Sequence, residues 1–483
     1  MDIFVPGATC WRTETAARAT IFIDNETFYP ALAEALTRAR HSVLVLGWAF
    51  DPRTRLAPDG TEGPDDPDEI GRILLGMVRA NPALDVRLLI WKSAMLVNGS
   101  PDFIGHRARR WFRNTPVDFR LDVARPFGAC HHQKVIVIDD QLAFCGGGDI
   151  VTNRWDSQHH RHDEPRRLLP DRAKHPARHE VTLMADGAAA MALGELFRER
   201  WRDAGGIEPA RRGPTEGDAW PASVAPRFTD VEVAIARTRP ARRDRPAVTE
   251  IFDLTLACIA QARRTIYLEN QYFTSPVIAE ALAARLAEPD GPEVVLIVTG
   301  RAPSWFDRLT MDHARNPVLR RLRAADAFGR FRAWFPRTEK GGPVLVHSKV
   351  AILDDEVLRV GSANLNNRSA GFDTECELAI EAARPDARAA VASLRDQLVS
   401  HFLGVSSRAL VQARGEAGGL IGAIERLNTK GRLAPLAPGR PTLWEALVGD
   451  FGLGDPSDAA DSWRPWRRRS RLRALIVRVA RRG

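Results

Sequence analysis

The chain has 483 residues, enough for two or three domains with an ample core. Its 44% hydrophobic and 27% charged residues are those of an ordinary globular protein, and no apolar run nears the roughly 18 to 20 residues that span a bilayer, which argues against an integral membrane enzyme. The net charge of +8 matches that of residues 461–483 alone, where nine Arg face one Asp, so the rest is near neutral and its charge implies no polyanionic partner.

In chain order, the N-terminus lacks the basic and apolar regions of a signal peptide, so a cytoplasmic location is expected, with non-classical export left open. Ala39-Arg-His-Ser-Val-Leu-Val-Leu-Gly-Trp48 reads as a helix end running into a buried strand, and Val86-Arg-Leu-Leu-Ile-Trp91 as the next strand. A hairpin is predicted around Asp139-Asp140-Gln141, and a further strand at His179-Glu180-Val-Thr-Leu183. Residues 205–226, rich in Pro and Gly, read as a linker. The same series then recurs: Ala262-Arg-Arg-Thr-Ile-Tyr-Leu-Glu-Asn-Gln271, Val294-Val-Leu-Ile-Val298, a hairpin around Asp354-Asp355-Glu356, and Thr374-Glu375-Cys-Glu-Leu378. The predicted fold is α/β, with two pseudo-symmetric halves, each a mixed sheet covered by helices, and the site at their interface. The halves are set at residues 1–204 and 227–405, followed by a helical region at 406–483.

The repeat carries the chemistry. His132-Gln-Lys134-Val-Ile-Val-Ile-Asp139 returns 215 positions later as His347-Ser-Lys349-Val-Ala-Ile-Leu-Asp354. After six further residues each copy reaches a small pair, Gly146-Gly147 and Gly361-Ser362. One copy of so short a pattern would mean little; two in matching contexts point to half-sites that combine. Along a strand, His132 and Lys134 share a face, as do His347 and Lys349, whereas Asp139 and Asp354 fall off it at the turns. Small residues on the return strands are expected to leave room for a substrate oxyanion. An ammonium beside an imidazole suits phosphate: the imidazole can attack or protonate, while the lysines hold developing charge. The sequence offers no H-E-x-x-H, so a metal-independent reaction without cofactors is expected. The five Cys (10, 130, 145, 258, 376) are odd in number and without C-x-x-C, which argues against a disulfide framework or a zinc site; Cys130, though close to the motif, reads as a small buried hydrophobe.

These residues resemble the phospholipase D superfamily, defined by two H-x-K-x4-D motifs on pseudo-symmetric halves. The resemblance covers roughly residues 20 to 405. Ile266-Tyr-Leu-Glu-Asn-Gln-Tyr-Phe273, Gly47-Trp-Ala-Phe-Asp-Pro52, Ala143-Phe-Cys-Gly-Gly-Gly-Asp-Ile150 and Arg154-Trp-Asp156 are similar to the lipid-hydrolysing branch. The resemblance implies that His132 is the nucleophile forming a phosphohistidine and His347 the acid. It implies that Lys134 and Lys349 hold the phosphate, and that Asp139 and Asp354 are structural supports. Ser362 and Asn364 match G-S-x-N, whose polar groups would meet phosphate oxygens, while Gly147 and Asp149 form a G-G-x-D variant. Glu180 and Glu375 stand where the family places an acidic partner for each His, with a solvated acid as the competing reading for Glu180.

The resemblance implies a phosphodiesterase acting on a glycerophospholipid, with phosphatidylcholine as first choice and transfer to an alcohol as a further capacity. A phosphatidyltransferase of cardiolipin synthase type, a nuclease and an inactive lipid-binding relative are the alternatives. The loops at 51–69 and 301–342 are expected to choose the head group. Leu472, Leu475, Ile476 and Val479 form an apolar helical stripe among arginines, preceded by Trp463 and Trp466. This tail, residues 463–483, is expected to meet an anionic membrane surface, giving a peripheral location. Nucleic acid is less favoured, and no obligate protein partner is implied.

Overall fold

The computed structural model describes residues 2–59, 67–92, 104–123, 126, 128–211, 217–242, 244–302, 308–439 and 455–456. The arginine-rich tail at 463–483 and parts of the two head-group loops, 60–66 and 303–307, lie outside the described residues.

The first half runs β1 (Arg12–Ile23), α1 (Asn25–Thr37), β2 (Ser42–Gly47), α2 (Ile70–Ala80), β3 (Asp85–Trp91), α3 (Ile104–Trp111) and β4 (Asp118–Asp122). The motif hairpin follows as β5 (Val135–Ile138) and β6 (Leu142–Gly146), then β7 (Ala177–His179), β8 (Val181–Asp186) and α4 (Gly187–Asp203). The second half opens with β9 (Phe228–Arg239), β10 (Val248–Thr249), α5 (Glu250–Gln261), β11 (Thr265–Asn270), α6 (Pro276–Ala287) and β12 (Glu293–Val298). It continues with α7 (His313–Ala325), β13 (Phe331–Pro336), β14 (Val344–Val346), the hairpin β15 (Val350–Leu353) and β16 (Val357–Gly361), α8 (Asn367–Gly371), β17 (Glu375–Glu381) and α9 (Pro385–Leu403). Helices α10 (Ser407–Ala417) and α11 (Leu420–Leu427) and strand β18 (Leu433–Pro435) complete it.

The two expected sheets are in fact one. Its order is β18-β13-β12-β11-β15-β16-β17-β9-β1-β8-β6-β5-β2-β3-β4, with β10 alongside β9. Read outward from the antiparallel β1–β9 seam, the two arms carry equivalent strands in the same order, so the seam marks a pseudo-two-fold axis. In each arm three strands, β2-β3-β4 and β11-β12-β13, run parallel, as crossover helices require; the motif hairpin is antiparallel, and β18 adds an antiparallel edge beyond β13.

Strand alternation divides the core. Val135, Val137, Ala143 and Cys145 face a cluster shared by both halves, under α4 and α9, with Phe197, Trp201, Leu394 and Phe402. Ile136, Ile138, Leu142 and Phe144 point the other way, into a cluster private to the first half with Phe28, Leu32 and Phe112. A third cluster serves the second half, with Leu254, Leu282 and Leu319, and takes in Ile3, Phe4 and Cys10 from the N-terminus. One face of the sheet therefore binds the halves together. No helix among the described residues is long and apolar enough to cross a membrane.

Each hairpin turns on two aspartates with positive φ: 55° at both Asp139 and Asp140, 56° at Asp354 and 61° at Asp355. Positive φ at both central positions is the mark of a type I′ turn, closed here by the Gln141 and Glu356 N–H groups on the Ile138 and Leu353 carbonyls, and Asp tolerates it better than most residues. The Asp139 carboxylate accepts from the backbone N–H groups of Arg40, His41 and Ser42 at 2.8, 2.7 and 2.7 Å. Asp354 does the same for Arg263, Arg264 and Thr265 at 2.6, 2.7 and 2.7 Å. Each thus ties its hairpin to the start of the neighbouring antiparallel strand, β2 or β11. Asp139→Ala would leave three N–H groups without their acceptor, and a loss of roughly 3 kcal/mol or more is expected. Urea unfolding should show the same loss for Asp354→Ala.

Candidate active site

The motif residues precede β5 and β15, where extended chain crosses from one half to the other. His131 bridges Thr374, and the His132 N–H donates to the Thr374 carbonyl at 3.0 Å. At the pseudo-equivalent place β14 pairs in parallel with β7, and the His347 N–H donates to the His179 carbonyl at 2.8 Å. Each motif is therefore laid against the strand that leads into the glutamate of the opposite half.

The side chains follow. His132 Nδ1 lies 2.9 and 3.1 Å from the two carboxylate oxygens of Glu375. Glu375 also accepts from the Ser362 hydroxyl at 2.5 Å and the Ser369 hydroxyl at 2.6 Å. In the other half-site, His347 Nδ1 lies 3.4 Å from Glu180 Oε1, too poorly aligned for a hydrogen bond. Glu180 is 2% exposed, so it is not a solvated acid at a strand start; Asn25 and Arg178 donate to it at 3.4 Å, and Arg154 Nε sits 3.6 Å away.

Both lysines are buried and fold back on their own motifs. Lys134 Nζ donates to the His132 carbonyl at 2.8 Å, with Asp149 Oδ2 at 3.6 Å. Lys349 Nζ donates to the His347 carbonyl at 2.7 Å and to Gln271 Oε1 at 3.3 Å. Asp139 and Asp354 are not in this cluster. Lys134 and Asp139 stand at opposite ends of β5, roughly 16 Å apart at about 3.3 Å per residue.

Burial and positive charge set the electrostatics. The His132 imidazolium is disfavoured by burial first and then by Lys134 and Lys349. His347 is pushed down by burial, then by Lys349 and Arg154. Lys349 is itself pushed down by burial and by Lys134. Burial raises Glu375 and Glu180 to about 7 each. Two neutral imidazoles, each with Nδ1 turned to a carboxylate and Nε2 left to react, beside two ammonium groups, are equipped for in-line transfer at a phosphoryl centre.

The small residues act differently from expectation. A Cβ on Gly147 would stand 2.5 Å from the His347 carbonyl oxygen, so this glycine makes room for the opposite motif's backbone rather than for an oxyanion. A Cβ on Gly148 would lie 1.8 Å from Glu180 Oε2. The Ser362 hydroxyl faces Glu375 instead of open space. Asn364 Oδ1 is buried without a hydrogen-bond partner among the described residues, whereas Asp149, its pseudo-equivalent, accepts from the Trp48 and Ala49 N–H groups at 2.8 and 3.0 Å. Ser369 and Asn25 join the site from helical segments, where the sequence carried no positional signal for their roles, whereas Arg154 lies in the quoted Arg154-Trp-Asp156 segment. Gln271 lies inside the quoted Ile266–Phe273 segment.

The family profile described as "Cardiolipin synthase, PLD-like domain" matches residues 255–399. The chain is 25% identical over 458 residues to phospholipase D alpha 4 of Arabidopsis thaliana, covering 72% of this chain and 59% of that one. It is 24% identical over 457 residues to phospholipase D1 of Saccharomyces cerevisiae, covering 74% of this chain and 26% of the yeast protein. The chain thus spans no more than about three fifths of these relatives. Among solved structures, phosphatidylserine synthase of Haemophilus influenzae Rd KW20 shares the fold, with a TM-score of 0.56 and 14% identity over 80% of this chain and 88% of that one. The folding pattern and the paired motifs are those of a scaffold of two pseudo-symmetric halves. The matched profile, the relatives and the paired motifs support membership of the phospholipase D superfamily.

Gly147→Ser, which would give the first half the Gly-Ser pair of the second, is expected to destabilise by about 1–3 kcal/mol because the His347 backbone must move. Gly415→Ala, within α10 and with open space around its Cβ, should instead stabilise by roughly 0.5–1 kcal/mol. Thermal or urea unfolding of the two variants checks the contrast.

Proposed function

We propose that the protein is a phospholipase D, cleaving the distal phosphodiester of a glycerophospholipid, phosphatidylcholine first, to phosphatidic acid and the free head group. One observation carries the reading: the two His–Lys pairs meet in one buried centre, each imidazole matched to a glutamate of the other half. His132 Nε2 attacks phosphorus, and the head-group oxygen leaves with a proton from His347. Water, giving its proton to His347, then attacks the phosphohistidine and releases phosphatidic acid. Lys134 and Lys349 neutralise the non-bridging oxygens in both steps.

The imidazoles are neutral in the free site, which suits the nucleophile but not the acid. A bound phosphodiester reverses part of the lysine effect, so the substrate's own charge favours protonation of His347. The near-neutral body favours a lipid over an extended polynucleotide. The cardiolipin synthase description of the matched profile favours a second reading, in which an alcohol replaces water as acceptor. A peripheral membrane position, with the arginines of 463–483 against anionic lipid, belongs to the same proposal.

The test is choline release from phosphatidylcholine vesicles by the wild type and His132→Asn, with and without an added primary alcohol. Release should fall by roughly a thousandfold or more in the variant. Phosphatidyl-alcohol formed at the expense of phosphatidic acid would favour the transferase reading; silence from the wild type would overturn the choice of substrate.

The pH profile has a defined sign. Above about 7 the Glu375 carboxylate accepts from His132 Nδ1–H, leaving the Nε2 lone pair free. Below it the protonated carboxyl donates to Nδ1, so Nε2 carries the hydrogen and cannot attack. Accordingly kcat/KM should rise with pH through an apparent pKa near 7, and Glu375→Gln should remove that limb while lowering the rate roughly a hundredfold or more.

A further inference from the structure

One residue before Glu180, four side chains from distant parts of the chain converge. Asp24 follows β1, His160 lies in the loop after Trp155, His179 ends β7, and His401 sits in the last turn of α9. One ring nitrogen or carboxylate oxygen of each lies within 4.8 Å of the others. Asp24 is 2% exposed, and His160 and His179 are fully buried.

The outward-facing ring nitrogens determine what faces inward. His160 Nδ1 is 3.0 Å from Asp156 Oδ2, and His401 Nδ1 is 3.2 Å from the Gln397 carbonyl oxygen. With Asp156 ionised both partners only accept, so each Nδ1 carries its ring's proton and each Nε2 of the neutral ring turns a lone pair inward. Those two Nε2 atoms and Asp24 Oδ2 are buried without a hydrogen-bond partner among the described residues. Three buried acceptor atoms facing one another, with no donor between them, are costly unless a cation lies there.

The geometry and donor chemistry favour a metal. His160 Nε2 and Asp24 Oδ2 are 3.5 Å apart, near the edge of a ligand tetrahedron around an ion bound at about 2.0–2.1 Å. His179 Nδ1 is 3.0 Å from Asp24 Oδ1, and its Nε2 is 2.8 Å from Glu269 Oε2. In the ion-free site this ring donates from both nitrogens, to Asp24 and to Glu269; an ion would take the place of the Nδ1 proton, leaving the other proton toward Glu269 and Nδ1 as a third imidazole donor. Asp156 and Glu269 then stand as the outer carboxylates that orient metal-bound imidazoles. His401 also borders a cavity of about 610 Å³ walled in part by Gln158, Ser400 and Arg432, which provides an entry path.

We propose that Asp24, His160, His179 and His401 form a four-ligand site for a divalent transition metal of the zinc class, joining the two halves beside the active site. Three donors come from the first half and one from the second. A closed set of four protein ligands is structural, so the ion takes no part in phosphoryl transfer and the site does not depend on the reaction proposed above. Its effect reaches the active site through backbone: the His179 carbonyl accepts from the His347 and Ser348 N–H groups at 2.8 and 3.2 Å, and Glu180 is the next residue.

The test uses the full chain, stripped with a chelator, dialysed against Zn²⁺ alone, desalted and analysed for bound metal and melting temperature. About one zinc per chain is expected, with a raised melting temperature. His401→Gln and Asp24→Asn should each lower the zinc content about tenfold or more, and Cys130→Ser should leave it unchanged. Co²⁺ in place of zinc should give the visible spectrum of a tetrahedral nitrogen and oxygen site without thiolate charge transfer, which decides the matter even if a variant fails to fold. A wild type that retains no metal, zinc kept by both variants, or an octahedral or thiolate cobalt spectrum would each overturn the proposal. In the first case a buried water or a proton meets the three lone pairs.

Discussion

The structure depends on an exchange. Each motif histidine takes its carboxylate neighbour from the other half, because the chain entering each motif pairs in parallel with the chain entering the opposite glutamate. A single half would hold a histidine and a lysine but no acid to orient the imidazole. The continuous β1–β9 seam and the shared core beneath α4 and α9 follow from that need, since the two crossings keep their register only if the halves cannot shift against each other. A four-ligand ion at Asp24, His160, His179 and His401, as proposed, would act on the same joint.

The two half-sites are not copies, and the difference has a physical origin. Glu375 is held by two serine hydroxyls and faces His132 squarely, while Glu180 rests among Arg154, Arg178 and Asn25 and only approaches His347. Glycines at 147 and 148 stand where a side chain would meet the His347 carbonyl or the Glu180 carboxylate. The first imidazole is therefore fixed in one tautomer, as a nucleophile requires, and the second keeps the freedom to gain and lose a proton, as an acid and base requires. On the proposed reading the asymmetry seen as G-S-x-N against G-G-x-D is the visible part of a division of labour.

Much of this arrangement was legible in the sequence, and the exceptions have causes. Strands β2, β3, β11 and β12 and both hairpins are apolar runs bounded by turn residues, so their buried positions read directly. Strands β1 and β9 were missed although they form the centre of the sheet. The segment Arg12–Ile23 carries Arg12, Glu14 and Arg18, which disguise a central strand; Arg12 pairs with Glu195 at 2.5 Å and Arg18 with Asp186 at 2.7 Å. The exchange of glutamates was equally hidden. Sequence order sets Glu180 beside the first motif and Glu375 beside the second, and only the crossing of chains reverses this. Asp24, His160, His179 and His401 have no common spacing, so their convergence is a property of the fold alone.

Charge links these parts. Lys134, Lys349 and Arg154 surround two imidazoles in a buried space where Glu375 and Glu180 titrate near neutrality. With no anion bound, the lysines suppress both imidazolium forms, and burial keeps the glutamates close to giving up their charge. On the proposed reading, a phosphodiester brings one negative charge and two non-bridging oxygens to the ammonium groups, so its binding relieves the lysines, raises the imidazoles and steadies the tautomer of His132 together. The three adjustments arise from one event because the charges lie within one low-dielectric volume, where their mutual interactions are far stronger than at a surface. The two aspartates of the motifs stay outside that volume, at the far ends of β5 and β15, where they anchor the hairpins without adding charge to the centre. The x4 spacing between Lys and Asp is, in these terms, the length of one strand that separates chemistry from scaffold.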